Sequence, residues 1–321
     1  MKKFMAILLT LAMLFTIAAP AYAAGVEDVS NAANEAMSFF DKVYEKVHDL
    51  MHILAKAFSI KCPFCGKKFI VASPGKVDEA LDKAKSGDTV DFKAGDYGVI
   101  TLDTLDGVTL DAADGVIVDK IVTTSETVLK NVTITGFELE TEIPEDKKSR
   151  DCGIKIDPTA TIENLVIEDT TFTGPSTYKN CEGINGNNTT ATITVKNCTF
   201  DGVGYALYST GKGGFAELTF DGCAFNNIYS WVVHAQYGFL GNSTISGCTF
   251  NECEDGIAKH GAFAAGKTFT FINNTVAANC AGHDGKDSKW FELSTASAVI
   301  EGNTLGGAEW IPGTAQGLKV A

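Results

Sequence analysis

With 40 acidic against 26 basic side chains in 321 residues, the chain carries a formal charge of −14, which excludes attachment to nucleic acid or an anionic membrane by bulk electrostatics. Thirty-two glycines and many Asn and Thr point to a turn-rich β protein. Nine cysteines, an odd number, leave at least one thiol without a partner in its own chain.

The chain opens on Lys2 and Lys3, an apolar run from Phe4 to Ala18, and Ala21-Tyr22-Ala23 ahead of Ala24. This is the pattern of a bacterial-style signal peptide over residues 1–23, cut after Ala23. The run is too short for a retained span, and no second apolar segment of spanning length follows. The expected mature chain is secreted and extracellular, without a membrane span. It is also more acidic, because the leader removes two lysines and no acid. Engaging an acidic polymer then requires a local basic cluster or a bridging divalent cation. Arg150 is the single arginine.

Residues 24–60 read as an amphipathic helix: Ala33, Met37, Phe40, Val43, Val47, Met51, Leu54 and Phe58 recur three or four apart among charged residues. Its apolar stripe needs a partner, either the flank of the main domain or, by self-association, another copy of the helix. Residues 61–73 contain Cys62-Pro63-Phe64-Cys65-Gly66, which resembles the knuckle of zinc-ribbon proteins. One knuckle supplies two ligands; His48 and His52, four apart on one face of the helix, would complete a Cys2His2 zinc site. The alternatives are a local disulfide or dithiol beside two solvated histidines.

Residues 74–321 form the main domain. Val77 to Lys85 reads as a short helix. The run Ala80-Leu81-Asp82-Lys83-Ala84-Lys85-Ser86-Gly87-Asp88-Thr89-Val90, with the later Gly95-Asp96-Tyr97, resembles the N-terminal cap of pectate-lyase-like β-helix proteins. The resemblance implies a helix covering the open end of a coil, where strand edges would otherwise be bare.

An internal repeat carries the fold. Ile193-Thr194-Val195-Lys196-Asn197-Cys198-Thr199-Phe200 is echoed by Leu218 to Phe225 and Thr244 to Phe250, with the phenylalanines 25 residues apart. Divergent copies stand at Val166 to Phe172, Phe271 to Val276 and Val299 to Leu305. A period near 25 with short strands and polar junctions means stacked coils. The expected fold is therefore all-β, a right-handed parallel β-helix with an N-terminal amphipathic helix and a short capping helix. Cys198, Cys223 and Cys248 should stack as a buried column, unsuited to disulfides because their side chains point the same way. Cys152 and Cys181 are the pair best placed for a bridge. Asn131, Asn197 and Asn242, in Asn-x-Thr strings, read as turn residues.

Aligning the strands that begin each coil's other sheet places Lys155, Asp157, Asn185, Asn187, Tyr208, His234, Gln236 and His260 on one surface, with Tyr205, Trp231 and Asp255 at its edge. Rings beside amide, hydroxyl and imidazole groups suit a sugar-binding groove, so the first expectation is binding of polysaccharide or a cell-surface glycan, with no nucleic acid partner. The second is catalysis. The polysaccharide lyases of the resembling fold remove a proton next to a uronate with Lys or Arg, often beside calcium held by acids. This implies Lys259 with Asp255, or Lys155 with Asp157, and calcium as cofactor if the chain is a lyase. Glycoside hydrolases of that fold use clustered aspartates and Gly-His-Gly; Lys259-His260-Gly261 is a partial echo, and His234 with His260 would serve as acid and base. Neither motif is complete, so enzyme and binding protein both stay open.

Overall fold

The computed structural model describes residues 26–58, 61–146, 148–209, 214–235, 241–280 and 290–320; the segment expected to be a signal peptide, residues 1–23, and Gln236 lie outside them. The chain divides into two compact units, residues 1–58 with 62–66, and residues 59–61 with 67–321. In the first, helix α1 (Val26–Phe58) accompanies the Cys62–Gly66 turn. No helix among the described residues is long and apolar enough to cross a membrane.

The second unit is a right-handed parallel β-helix. Among the described residues its strands form an 18-stranded and a 10-stranded sheet, in which strands pair in parallel with those one coil away, except for one antiparallel pair near the C-terminal end. The β-rich run Phe69-Ile70-Val71-Ala72 is already the first rung, pairing with Thr89–Phe92. Helix α2 (Val77–Lys83) sends Ala80 and Leu81 into the coil's core, which covers the N-terminal end.

The predicted repeat appears as register. Phe172, Phe200, Phe225 and Phe250 are mutual partners on successive coils, all buried. Their rings stack at centroid distances of 4.6, 5.3 and 5.0 Å. Offset stacking contributes about 0.5–1.5 kcal/mol per pair beyond area burial. The polar junctions are equally regular. Between the two sheets each coil turns at a residue of positive φ: Gly136, Asp169, Asn197, Gly222, Gly247, Asn273 and Gly302. These are the residue types that adopt the left-handed region most readily. Asn131 also has positive φ, whereas Asn242 begins a strand and bonds Glu217 instead.

All nine cysteines are free thiols. Cys198, Cys223 and Cys248 line up behind the turns, and their thiols donate to the carbonyls of Ile167, Val195 and Phe220. Asn274 and Asn303 continue the column and donate to Ile245 and Phe271. The column thus answers carbonyls that the turn removes from the ladder. The pair best placed for a bridge, Cys152 and Cys181, is separated by register: Cys181 pairs with Asp151 and Cys152 with Glu182. One residue of offset sends the two side chains in different directions.

The C-terminal end carries a cover that the sequence did not announce. Thr304–Leu305 folds back antiparallel onto Ala308–Glu309, and Trp310 packs on Phe271, Trp290 and Phe291.

Candidate functional site

The site lies on the strand ladder Asp151–Ile156, Cys181–Gly186, Tyr205–Ser209, Trp231–Ala235, Gly256–Ala262 and Phe291–Thr295. Ile154, Ile184, Leu207, Val233, Ala258 and Phe291 are register partners and point into the core. The residues that follow them form an outward column: Lys155, Asn185, Tyr208, His234, Lys259 and Glu292. Ala206, Val232 and Ile257 are also core residues, so two consecutive side chains point inward on these coils. A second outward row therefore stands three residues earlier: Glu182, Tyr205 and Trp231, ending at Gly256. Glycine is required there, since a Cβ at residue 256 would stand 2.6 Å from Trp231 Cζ3.

The two rows meet in a compact cluster. Tyr205 packs on Tyr208 at 4.7 Å and on His234 at 5.3 Å, and Tyr208 stacks on His234 at 4.9 Å with 13° between the planes. The Arg150 guanidinium lies 3.7 Å above the Tyr208 ring and pairs with Glu182, which also accepts from Asn185 Nδ2. Lys259 Nζ lies 5.5 Å from the Trp231 centroid and 2.8 Å from Glu292 Oε2.

Burial sets the protonation of the cluster. It pushes the Glu182 carboxyl up to about 7, against the opposing pull of Asn185 and Arg150. It holds His234 down at about 4, helped by the charges of Lys259 and Arg150. At neutral pH His234 is therefore a neutral imidazole, and Glu182 stands near its midpoint. Tyr205 is raised by burial as well.

Several expectations are corrected. Tyr205, Tyr208 and Trp231 are only 7, 7 and 2% exposed, so the rings are not an open shelf. The reading around Lys259 slips by one residue: Lys259, not Ala258, pairs with His234, and His260 pairs with Ala235. His260 therefore has inward parity, lies buried at a bulge opposite Leu293, packs edge-on to Phe263, and is held down at about 3 by burial. His234 and His260 do not share a face. The acid paired with Lys259 is Glu292, while Asp255 accepts from Ser230 Oγ at 2.7 Å. Asp157 accepts from the Thr159 amide and hydroxyl, which lowers its pKa; it shapes the turn beyond the strand. Lys155 is exposed and Asn187 half-buried just past its strand.

Sequence reasoning missed Arg150, Glu182 and Glu292 as members of this site. Glu182 was findable, since it stands one residue before Gly183-Ile184 as Tyr205 stands before Ala206-Leu207. Glu292 lies in a coil whose repeat had diverged. A groove of about 740 Å3 lies elsewhere, lined by Glu138, Glu140, Glu142, Asp151 and the apolar Val99 and Ile117.

The donor atoms of His48, His52, Cys62 and Cys65 converge within the first unit, all within 4.8 Å of one another. Among the described residues no other group of three or more His, Cys, Asp or Glu converges in this way.

No curated protein matches the chain. Among solved structures, that of the PL6 family alginate lyase AlyGC is 14% identical, with 80% of this chain and 40% of that chain covered at a TM-score of 0.38. An arginine-to-alanine mutant of the same lyase is 10% identical, with 79% and 56% covered at a TM-score of 0.21. The chain thus spans less than two thirds of either structure's length. The family described as "Right handed beta helix region" matches residues 115–283 and 182–317. These matches take in more than half of the chain, which belongs to the right-handed beta helix family.

Proposed function

We propose that the chain binds an acidic polysaccharide along the outward column of this ladder. The observation that carries the reading is the placement of Arg150 and Lys259 over the aromatic rings Tyr208 and Trp231, each cation oriented by a site carboxylate. With Lys155 they gather three cations on one face of a molecule whose net charge is −14, the local basic cluster that an acidic polymer needs. Because the rings are covered, recognition rests on carboxylates of the glycan exchanging with Glu182 and Glu292 for the two cations. Asn185 then meets sugar hydroxyls, while the Tyr208 ring backs the Arg150 guanidinium. A polymer lying across the coils meets a new outward side chain about every 4.8 Å.

A second reading is favoured by Glu182 and His234, whose burial leaves one carboxyl near 7 and one neutral imidazole beside Lys259. Perturbed groups of this kind cluster at catalytic sites. On a uronate chain Arg150 would neutralise the carboxylate. His234 would take the neighbouring proton, Lys259 would give one to the departing glycosidic oxygen, and a carbon–carbon double bond would form.

One experiment separates these readings. The mature protein is titrated calorimetrically with polyuronates and a neutral glucan, while ultraviolet absorbance and reducing ends are followed. Salt-sensitive binding of the polyuronates, weakened about tenfold in Lys259→Ala, supports the first reading. New absorbance from an unsaturated product, lost in the same variant, supports the second. Equal affinity for the neutral glucan, or no binding to any polymer, rejects the assignment of this face to acidic glycans.

A further inference from the structure

Four nitrogen and sulfur donors meet in the first unit without any role in the coil. His48 and His52 stand one turn apart on α1, and their ring centroids are 4.1 Å apart. The facing turn is shaped by Cys62-Pro63-Phe64-Cys65-Gly66. The Gly66 amide donates to the Cys62 carbonyl at 2.8 Å, and Gly66 takes φ +74°, a conformation that glycine adopts without strain. This fold of the backbone also aims the amides of Phe64 and Cys65 at the Cys62 sulfur. Across the gap, His52 Nε2 lies 3.1 Å from Cys65 Sγ.

We propose that His48, His52, Cys62 and Cys65 bind a single zinc ion in a closed tetrahedral site. Zinc takes sulfur at about 2.3 Å and imidazole nitrogen at about 2.0–2.1 Å, which makes the edges of the tetrahedron roughly 3.3–3.8 Å. The His52–Cys65 separation is near that length, and all four donors lie within 4.8 Å of one another, so an inward shift of about 1 Å closes the set. The donor set selects the metal: thiolate and imidazole without carboxylate suit zinc, whereas calcium and magnesium require oxygen. Four protein ligands fill the coordination sphere and leave no position for water or substrate, so the site is structural. Aromatic packing supports it: Phe64 meets Tyr44 at 5.7 Å and His48 at 6.2 Å, both edge-on, and Tyr44 stacks on His48 at 6.0 Å. These contacts orient one imidazole. A long helix and a five-residue turn make too small a core to fix their own geometry, and a metal clip is a common remedy at this size.

The test uses the whole mature chain, purified from the exported fraction without chelator or added reductant. Elemental analysis should find one zinc per chain. After zinc removal under reducing conditions, cobalt titration should saturate at one equivalent, with the intense visible bands of a tetrahedral site and a thiolate-to-cobalt charge-transfer band. Cys65→Ser should weaken that charge-transfer band and His52→Ala should alter the visible bands, each with at least a tenfold loss of cobalt affinity. The β signature in circular dichroism, which arises from the coil, should persist in both variants. Three results overturn the assignment: a Cys62–Cys65 disulfide in the exported protein by mass spectrometry, cobalt binding without a charge-transfer band, or spectra unchanged by both substitutions.

Discussion

Glu182 shows how a single buried group couples the coil to pH. Its carboxyl is fully buried and raised from 4.5 to about 7, so the folded chain holds a proton that the unfolded chain has released. The associated stability is complete below about 4.5 and is lost as pH rises through about 7, a span worth about 3 kcal/mol. Glu182→Gln removes this dependence. Its unfolding midpoint in urea should stay level between pH 4.5 and 8 relative to the wild type, whose midpoint falls; parallel curves for the two proteins would contradict the burial account. His234 acts with the opposite sign. Its depressed value gives a contribution that is present above 6.5 and lost as pH falls through about 4. The composition of this site was only half legible. Tyr208, His234 and Lys155 follow from strand alternation, but Lys259 and His260 exchange roles because two adjacent residues point inward and a bulge follows Lys259. A period of two cannot anticipate either irregularity. Arg150 and Glu182 belong to neighbouring coils, and only the register between Cys152 and Glu182 brings them together.

At the scale of the element, each coil is specified by close contacts that repeat. Gly183 is an example: a Cβ there would stand 2.5 Å from Phe200 Cε1, in the middle of the stacked rings. Gly183→Ala should therefore destabilise the protein by about 1–3 kcal/mol through overpacking, read as a lower urea midpoint with an unchanged slope; an unchanged midpoint would mean that the ring has room to move. The junction residues are specified as strictly. Asn197, Gly222, Gly247 and Asn273 all carry positive φ, and the next residue is always one whose side chain donates to a carbonyl of the coil before, Cys198, Cys223, Cys248 and Asn274. This pairing was visible in the sequence as the recurrent Asn-Cys or Gly-Cys step, although its hydrogen-bonding purpose was not. Helix α2 was legible for the same local reason, since its short apolar face had to cover an open end.

For the whole molecule, coils that contact only their neighbours make the fold tolerant of losing one unit. Excision of residues 198–222, one repeat as measured from Phe200 to Phe225, joins Asn197 to Cys223 and keeps every later rung in register. The shortened chain should retain β circular dichroism and a cooperative melt while losing the polyuronate affinity proposed for this face, because Tyr205 and Tyr208 leave with it. A broad, non-cooperative melt would show that the coil depends on longer-range order. The family assignment, the coil, its period, the capping helix and the inward Phe and Cys columns were all determined by the sequence, because each is a local pattern repeated until it has only one solution. The tertiary structure alone decided which charged groups face one another, that Arg150 and Lys259 cover the rings, that no disulfide joins Cys152 to Cys181, and that Trp310 closes the far end. Those features depend on register between coils and on burial, and both arise only when distant segments stack and exclude water.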